Sequence, residues 1–197
     1  MANHQLKNEA GFSLLELLIA MTVTLAVMVA ASTLLASSLR TRARENLRSQ
    51  ALAAAQRALS IMSREISNSG YGLTDNGIVV ADSAADSIRV RANLNNDSDV
   101  DDVDEDVRFI LQTANNEIVR YDDSTATSAR SVLATNISSL TIRYLNTSGT
   151  AVGIASAERV SIEVLVNLPA GPEEPAGTVR LLSQVALRNA PTTLQQF

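Results

Sequence analysis

The N-terminal part of the chain is dominated by one apolar segment. Residues 12–39 read FSLLELLIAMTVTLAVMVAASTLLASSL and include a single charged side chain, Glu16. A membrane-spanning helix needs about 20 mostly apolar residues, so this segment is long enough to cross a bilayer with some tilt. A carboxylate costs about 2.5–3.5 kcal/mol at the bilayer centre and less near the end of a span. We therefore predict that residues 12–39 form the transmembrane half of a helix. Because of this cost, we also expect Glu16 to have a specific role.

The helical pattern continues beyond the apolar segment. Neither glycine nor proline occurs between Gly11 and Gly70, which predicts one continuous helix whose second half covers 40–70. In that half, apolar residues recur at spacings of three and four, at Leu47, Ala51, Ala55, Ala58, Met62 and Ile66. This amphipathic face has to be buried, and its alanine-rich spacing without strict heptads favours packing on a sheet over a coiled-coil stalk. Gly70 is predicted to cap the C-terminus of the helix.

Residues 71–197 carry a different pattern, an alternation of apolar and polar positions. It is clearest at Val160, Ile162, Val164, Val166 and Leu168, and it recurs within 88–92, 107–111, 140–144 and 179–187. Such alternation is typical of half-buried antiparallel strands. The proline-rich stretch 169–177 is predicted to be the loop that joins the last two long strands. The fold class is therefore α+β, with a long N-terminal helix packed on an antiparallel β-sheet head in two layers.

The composition removes several kinds of chemistry. The chain has no cysteine and no tryptophan, and His4 and Lys7 are its only histidine and lysine. Thiol nucleophiles, disulfides and histidine zinc sites are thereby excluded, and general bases with a pKa near neutrality are scarce. A net charge of −5 argues against a nucleic-acid partner, because phosphate contacts need clustered cations. We therefore predict that the protein is not an enzyme. Only three Phe and three Tyr are present, so we also predict an aliphatic core.

One segment of the head concentrates acidic residues. Residues 93–106 read NLNNDSDVDDVDED, and alternate oxygen-bearing side chains resemble the start of a calcium loop. This resemblance predicts calcium ligands at Asn93, Asn95, Asp97, Asp99, Asp101 and Asp104. Two features depart from the EF-hand pattern: Ser98 occupies the glycine position, and Glu105 follows the twelfth position by one residue. Ca²⁺ is thus a candidate cofactor, and a solvated acidic loop without a metal is the alternative.

The residues that begin the apolar segment carry a recognisable motif. Gly11, Phe12, Ser13, Leu14, Leu15 and Glu16 follow a polar leader, 1–11, and resemble the type IV prepilin motif. The resemblance implies that prepilin peptidase cleaves between Gly11 and Phe12 and methylates the new N-terminus. It also implies that Glu16 pairs with the N-terminal amine of a neighbouring subunit during filament assembly. The alternatives are a plain membrane anchor and a secretory signal peptide cut near Ala31.

A weaker resemblance concerns the end of the helix. Residues 57–73 read RALSIMSREISNSGYGL and are similar to the corresponding part of PilW-like minor pilins, although the cysteines that often follow there are missing. This implies a minor pilin that takes part in type IV pilus assembly together with other major and minor pilins. A minor pseudopilin of a type II secretion system and a membrane-anchored surface-binding β-domain remain the alternatives.

The expected location follows from the same resemblance. A pilin-like chain is anchored in the bacterial inner membrane by a single helix, with its head in the periplasm, and then enters a pilus or pseudopilus. The distribution of cations favours the opposite orientation, because Arg40, Arg42, Arg44 and Arg48 follow the apolar segment and only Lys7 precedes it. We give the motif more weight than this charge bias.

Overall fold

A computed structural model describes residues 12–124, 128–170 and 175–190 of the chain. The chain divides into two compact units, 1–45 and 46–197. Helix α1 runs through Leu14–Ser67, so it begins in the first unit and ends in the second. The predicted continuous helix is confirmed. The leader 1–11, including Gly11, lies outside the described residues.

Within the described residues of the second unit, seven strands follow the helix. They are β1 (Ser87–Arg91), β2 (Asp106–Gln112), β3 (Glu117–Asp122), β4 (Ala129–Ala134), β5 (Ile137–Leu145), β6 (Arg159–Leu168) and β7 (Gly177–Ala186). Strands β1 to β4 form one sheet in that order, and β5 to β7 form another. All their pairings are antiparallel. The predicted α+β class is confirmed, with two sheets where we expected one.

The last turns of α1 bury one face in the core of the second unit. The buried residues of the helix are Ala51, Ala55, Ala58, Leu59, Met62 and Ile66. They share a core with the inward side chains of both sheets, among them Phe109, Ile88 and Ile162. Three of these helix positions are alanine, and their small side chains leave room for the larger core side chains of the sheets. Leu47 does not continue this face, since 56% of its surface is exposed.

Two strands were missed by the sequence pattern. In β3, a register shift between Ile118 and Val119 places two buried residues side by side, which interrupts the period-two alternation. Strand β4 forms the edge of its sheet and is mostly exposed, so it has little apolar alternation to detect. The five strands that were predicted all occur where the alternation lies.

The chain between α1 and β1 turns tightly against the sheet. Gly70 was predicted as the helix cap, but α1 ends at Ser67 and Gly70 lies three residues later with a φ of 78°. Its N–H donates to the Arg91 carbonyl at 2.9 Å, and the Gly77 carbonyl accepts from the Arg91 N–H at 2.7 Å. Gly70 therefore attaches the turn to β1 instead of closing the helix.

Candidate functional site

The acidic segment is the connection between β1 and β2, and both of its ends are held by backbone hydrogen bonds. The N–H of Ala92 donates to the Glu105 carbonyl at 2.9 Å, which closes the base of the loop. The N–H of Asn93 donates to the Tyr71 carbonyl at 2.8 Å, which ties the loop to the turn after α1. The loop thus starts and ends at defined positions.

Glu105 is the most buried acid of this loop, with 2% of its surface exposed. Its Oε1 accepts hydrogen bonds from the backbone N–H groups of Leu94, at 2.5 Å, and Asn95, at 3.3 Å. Its Oε2 is buried and receives no hydrogen bond from any residue in the described ranges. One carboxylate oxygen each from Asp97, Asp99 and Glu105 lie within 4.8 Å of one another. The fold therefore brings three acids together, and Glu105 is one that we did not predict as a ligand.

The other predicted calcium ligands have different surroundings. Asp104 accepts a hydrogen bond from Nη2 of Arg120 at 2.5 Å and does not belong to the group of three. Asn95 donates through Nδ2 to Asp97 at 2.7 Å. Asn93 is buried, and within the part of the chain that the structure describes, nothing donates to its Oδ1. The backbone N–H of Asp101 donates to Oδ1 of Asp99 at 3.5 Å.

Neighbouring side chains shift the acidity of the exposed acids in opposite directions. The hydrogen bond from Asn95 lowers the pKa of Asp97. A side-chain hydrogen bond with Asp101 raises the pKa of Asp99, because it favours the protonated form of Asp99. Ser98, at the position where an EF-hand has glycine, adopts a φ of 82°, which is the left-handed conformation that glycine normally supplies. The loop backbone therefore makes this turn despite the serine.

The prepilin-like motif forms the start of α1. Oγ of Ser13 accepts a hydrogen bond from the N–H of Leu15 at 3.2 Å, so Ser13 caps the helix, a role that we had not assigned. Glu16 lies in the first turn, where the positive end of the helix dipole favours a carboxylate. Phe12 precedes the helix and has 86% of its surface exposed. A serine three positions before a glutamate is the sequence signal for this cap.

The first unit presents an apolar surface. Its large apolar side chains from Phe12 to Leu39 are each between 52% and 87% exposed. Helix α1 includes a segment that is long and apolar enough to cross a membrane. Hydroxyl groups in this region donate to carbonyls three or four residues earlier, at Thr22, Thr24, Ser32, Thr33 and Ser37. These polar groups are thereby satisfied without water.

Comparison with known families identifies the beginning of this helix. Residues 6–32 match the prokaryotic N-terminal methylation motif. The motif indicates a type IV pilin-like protein. No curated protein sequence matches the chain.

The pilin-like assignment offers an explanation for the exposed apolar surface of the first unit. The motif implies processing by prepilin peptidase and assembly into a pilus or pseudopilus, and the apolar half of α1 is consistent with an inner-membrane anchor. Phe12 and Glu16 lie within the matched residues, as does Gly11, which falls outside the described part of the structure. The cleavage site, the role of Glu16 and the calcium ligands remain predictions.

Proposed function

We propose that this pilin-like protein is a minor pilin, similar to PilW-like minor pilins, that takes part in assembling or priming a type IV pilus. Prepilin peptidase removes residues 1–11 and methylates Phe12. The observation that carries the proposal is the exposed apolar segment that directly follows the prepilin motif. Such a surface is stable in a bilayer and, after assembly, among the equivalent helices of other pilins. In this role the protein is not an enzyme and binds no nucleic acid.

Glu16 supplies the specificity of assembly. A carboxylate among apolar helices is costly unless a cation neutralises it. Cleavage between Gly11 and Phe12 creates an ammonium group four residues before Glu16 in each subunit. Pairing of Glu16 with the amine of the neighbouring subunit then favours the axial stagger in which no charge is left alone. The motif supports a head on the periplasmic side, in spite of Arg40, Arg42 and Arg44 after the apolar segment.

The more specific PilW-like assignment rests on the end of α1 and the turn that follows. Gly70, Tyr71 and Gly72 form a glycine–aromatic–glycine turn after Ser67, and both glycines have positive φ values. This is the region in which residues 57–73 are similar to PilW-like minor pilins. A minor pseudopilin of a type II secretion system would use the same N-terminal chemistry. The motif therefore does not distinguish the two candidates, which differ in the kind of filament that they join.

Mass spectrometry of the intact protein tests the processing step. Wild-type protein from its native membrane is expected to begin at methylated Phe12, and Gly11→Val is expected to retain all of residues 1–11. Gly153→Val is a control outside the motif that should be processed normally. Recovery of Phe12 at the N-terminus of Gly11→Val, or of a wild-type chain that begins near Ser32, contradicts the proposal.

The role of Glu16 and the identity of the filament need a second experiment. Glu16→Gln should be processed but absent from sheared filaments, whereas the exposed head variant Asp86→Asn should be incorporated normally. Deletion of the gene should reduce the number of surface pili. Normal piliation together with a loss of protein secretion would instead assign the chain to a pseudopilus.

A further inference from the structure

We propose that the loop between β1 and β2 binds one Ca²⁺ ion through the carboxylates of Asp97, Asp99 and Glu105. This inference concerns the second unit alone and does not depend on the filament in which the protein functions. It differs from the ligand set that the sequence pattern predicted, because Glu105 enters the site, whereas Asn93, Asn95, Asp101 and Asp104 are not among the three carboxylate ligands.

The buried Glu105 carboxylate is the observation that points to a ligand. Its Oε1 is satisfied by two backbone N–H groups, but its Oε2 is buried and no described residue donates to it. The same side chain lies beside the carboxylates of Asp97 and Asp99, with oxygens within 4.8 Å of one another. Three negative charges at this separation, one of them removed from water, repel one another strongly unless a cation joins them.

The arginines of the adjoining strands are engaged with other acids. Nε of Arg91 lies 2.7 Å from Oδ2 of Asp106. Arg120 contacts Glu65 at 2.9 Å and Asp104 at 2.5 Å. Within the described ranges, none of the ion pairs of the head involves Asp97, Asp99 or Glu105. The arrangement around Asp104 also explains why that residue is not in the site.

The three oxygens lie close enough together for one calcium ion to bind all of them. Ca²⁺–oxygen distances of about 2.4 Å allow ligand oxygens to lie up to about 4.8 Å apart on opposite sides of the ion. Mg²⁺ binds at about 2.1 Å, demands near-octahedral geometry and gives up its waters reluctantly, so a cluster of three carboxylates favours calcium over magnesium. Calcium also accepts six to eight oxygen ligands in a flexible arrangement, so waters and neutral oxygens can complete its coordination. Carboxylates alone make zinc a poor alternative.

Hydrogen bonds within the second unit hold the loop in place. The N–H groups of Ala92 and Leu94 donate to the backbone carbonyl and to Oε1 of Glu105, respectively. Asn93 lies between them and carries the other buried oxygen that lacks a donor among the described residues. Its N–H is bonded to the Tyr71 carbonyl. Because of this link, calcium is expected to stabilise the turn after α1 as well as the loop.

Isothermal titration of the full chain in detergent micelles, after treatment with a chelator, tests the site. CaCl₂ should give a saturable one-site isotherm and raise the melting temperature, and MgCl₂ should bind at least tenfold more weakly. Glu105→Gln and Asp97→Asn should each weaken calcium binding at least tenfold. Asp86→Asn makes the same change in net charge outside the loop and should alter the affinity less than twofold.

Three outcomes would overturn the proposal. The first is the absence of both heat and a melting shift with calcium in the wild-type protein. The second is an equal weakening in all three variants, which would indicate only general attraction to an acidic protein. The third is equal affinity for magnesium and calcium. Asp97 is exposed, so its variant tests the site even if Glu105→Gln fails to fold.

Discussion

Arg120, in the middle of β3, forms an ion pair with Glu65 of α1, with Nε of the arginine 2.9 Å from Oε2 of the glutamate. The pair is largely shielded from solvent, since the two side chains are 14% and 21% exposed. Burial raises the pKa of Glu65 even though Arg120 donates hydrogen bonds to it. The contact therefore helps to set the position of the helix on the four-stranded sheet, and its net contribution to the free energy of unfolding is small.

The first prediction concerns removal of the cation from this pair. Arg120→Met should lower the free energy of unfolding by about 1–3 kcal/mol at neutral pH, because Glu65 is left charged and mostly buried. Chemical denaturation of the full chain in detergent measures this change. Arg180→Met is the control: the Arg180 side chain is 60% exposed, so water screens its pair with Glu163 and a much smaller change is expected.

The pH dependence of Arg120→Met follows from the sign of the Glu65 shift. Burial places the folded pKa of Glu65 above its ordinary value of 4.5, so the protonated form fits the fold better. The stability of the variant relative to wild type should be greatest below pH 4.5 and should fall as pH rises through the folded pKa of Glu65. A constant difference from wild type between pH 4 and pH 7 would contradict the assignment.

The second prediction concerns the turn that follows α1. Gly77 has a φ of 69°, and a Cβ at this position would collide with the backbone nitrogen of Gly70 and the carbonyl oxygen of Arg91. Gly77→Ala should therefore destabilise the second unit by about 2–3 kcal/mol, as measured by chemical denaturation. Gly153→Ala adds a methyl group where nothing lies within 4 Å and should unfold like the wild type.

The third prediction tests the close packing of α1 on the sheets. Ala58 has no exposed surface, so Ala58→Leu must push the helix away from the strands and should cost about 1–3 kcal/mol. Ala53 lies on the exposed side of the same helix segment. Ala53→Leu makes the same change in volume there and should leave the denaturation midpoint unchanged. Equal effects of the two substitutions would show that helix propensity, and not packing, determines the result.

The fourth prediction concerns alkaline pH. Burial raises the pKa of Tyr144 from 10.0 to about 12, so the neutral phenol is favoured in the folded state. This contribution to stability is complete below pH 10 and is lost as pH rises through the folded pKa. Melting temperatures measured between pH 9 and pH 12 should fall more steeply for wild type than for Tyr144→Phe. Tyr121→Phe, on β3, should keep the steep dependence.

The sequence alone determined those features that depend on local pattern. An unbroken stretch without glycine or proline was sufficient to predict α1, and its apolar first half indicated a membrane segment. Alternation identified the five strands whose buried residues are regularly spaced. The motif from Gly11 to Glu16 indicated a pilin-like protein because it depends on adjacent residues only.

Tertiary structure decided what local pattern cannot specify. The irregular burial in β3 and the exposure of β4 depend on strand pairing, and the separation of two sheets depends on which edges form hydrogen bonds. The acidic loop is a second example, since its repeat of alternate acids does not show whether Asp104 or Glu105 belongs to the group of three carboxylates. Arg120 of β3 pairs with Asp104, and Glu105 is buried beside Asp97 and Asp99. Charge pairing and burial depend on how the strands and loops pack together, which the local sequence does not specify.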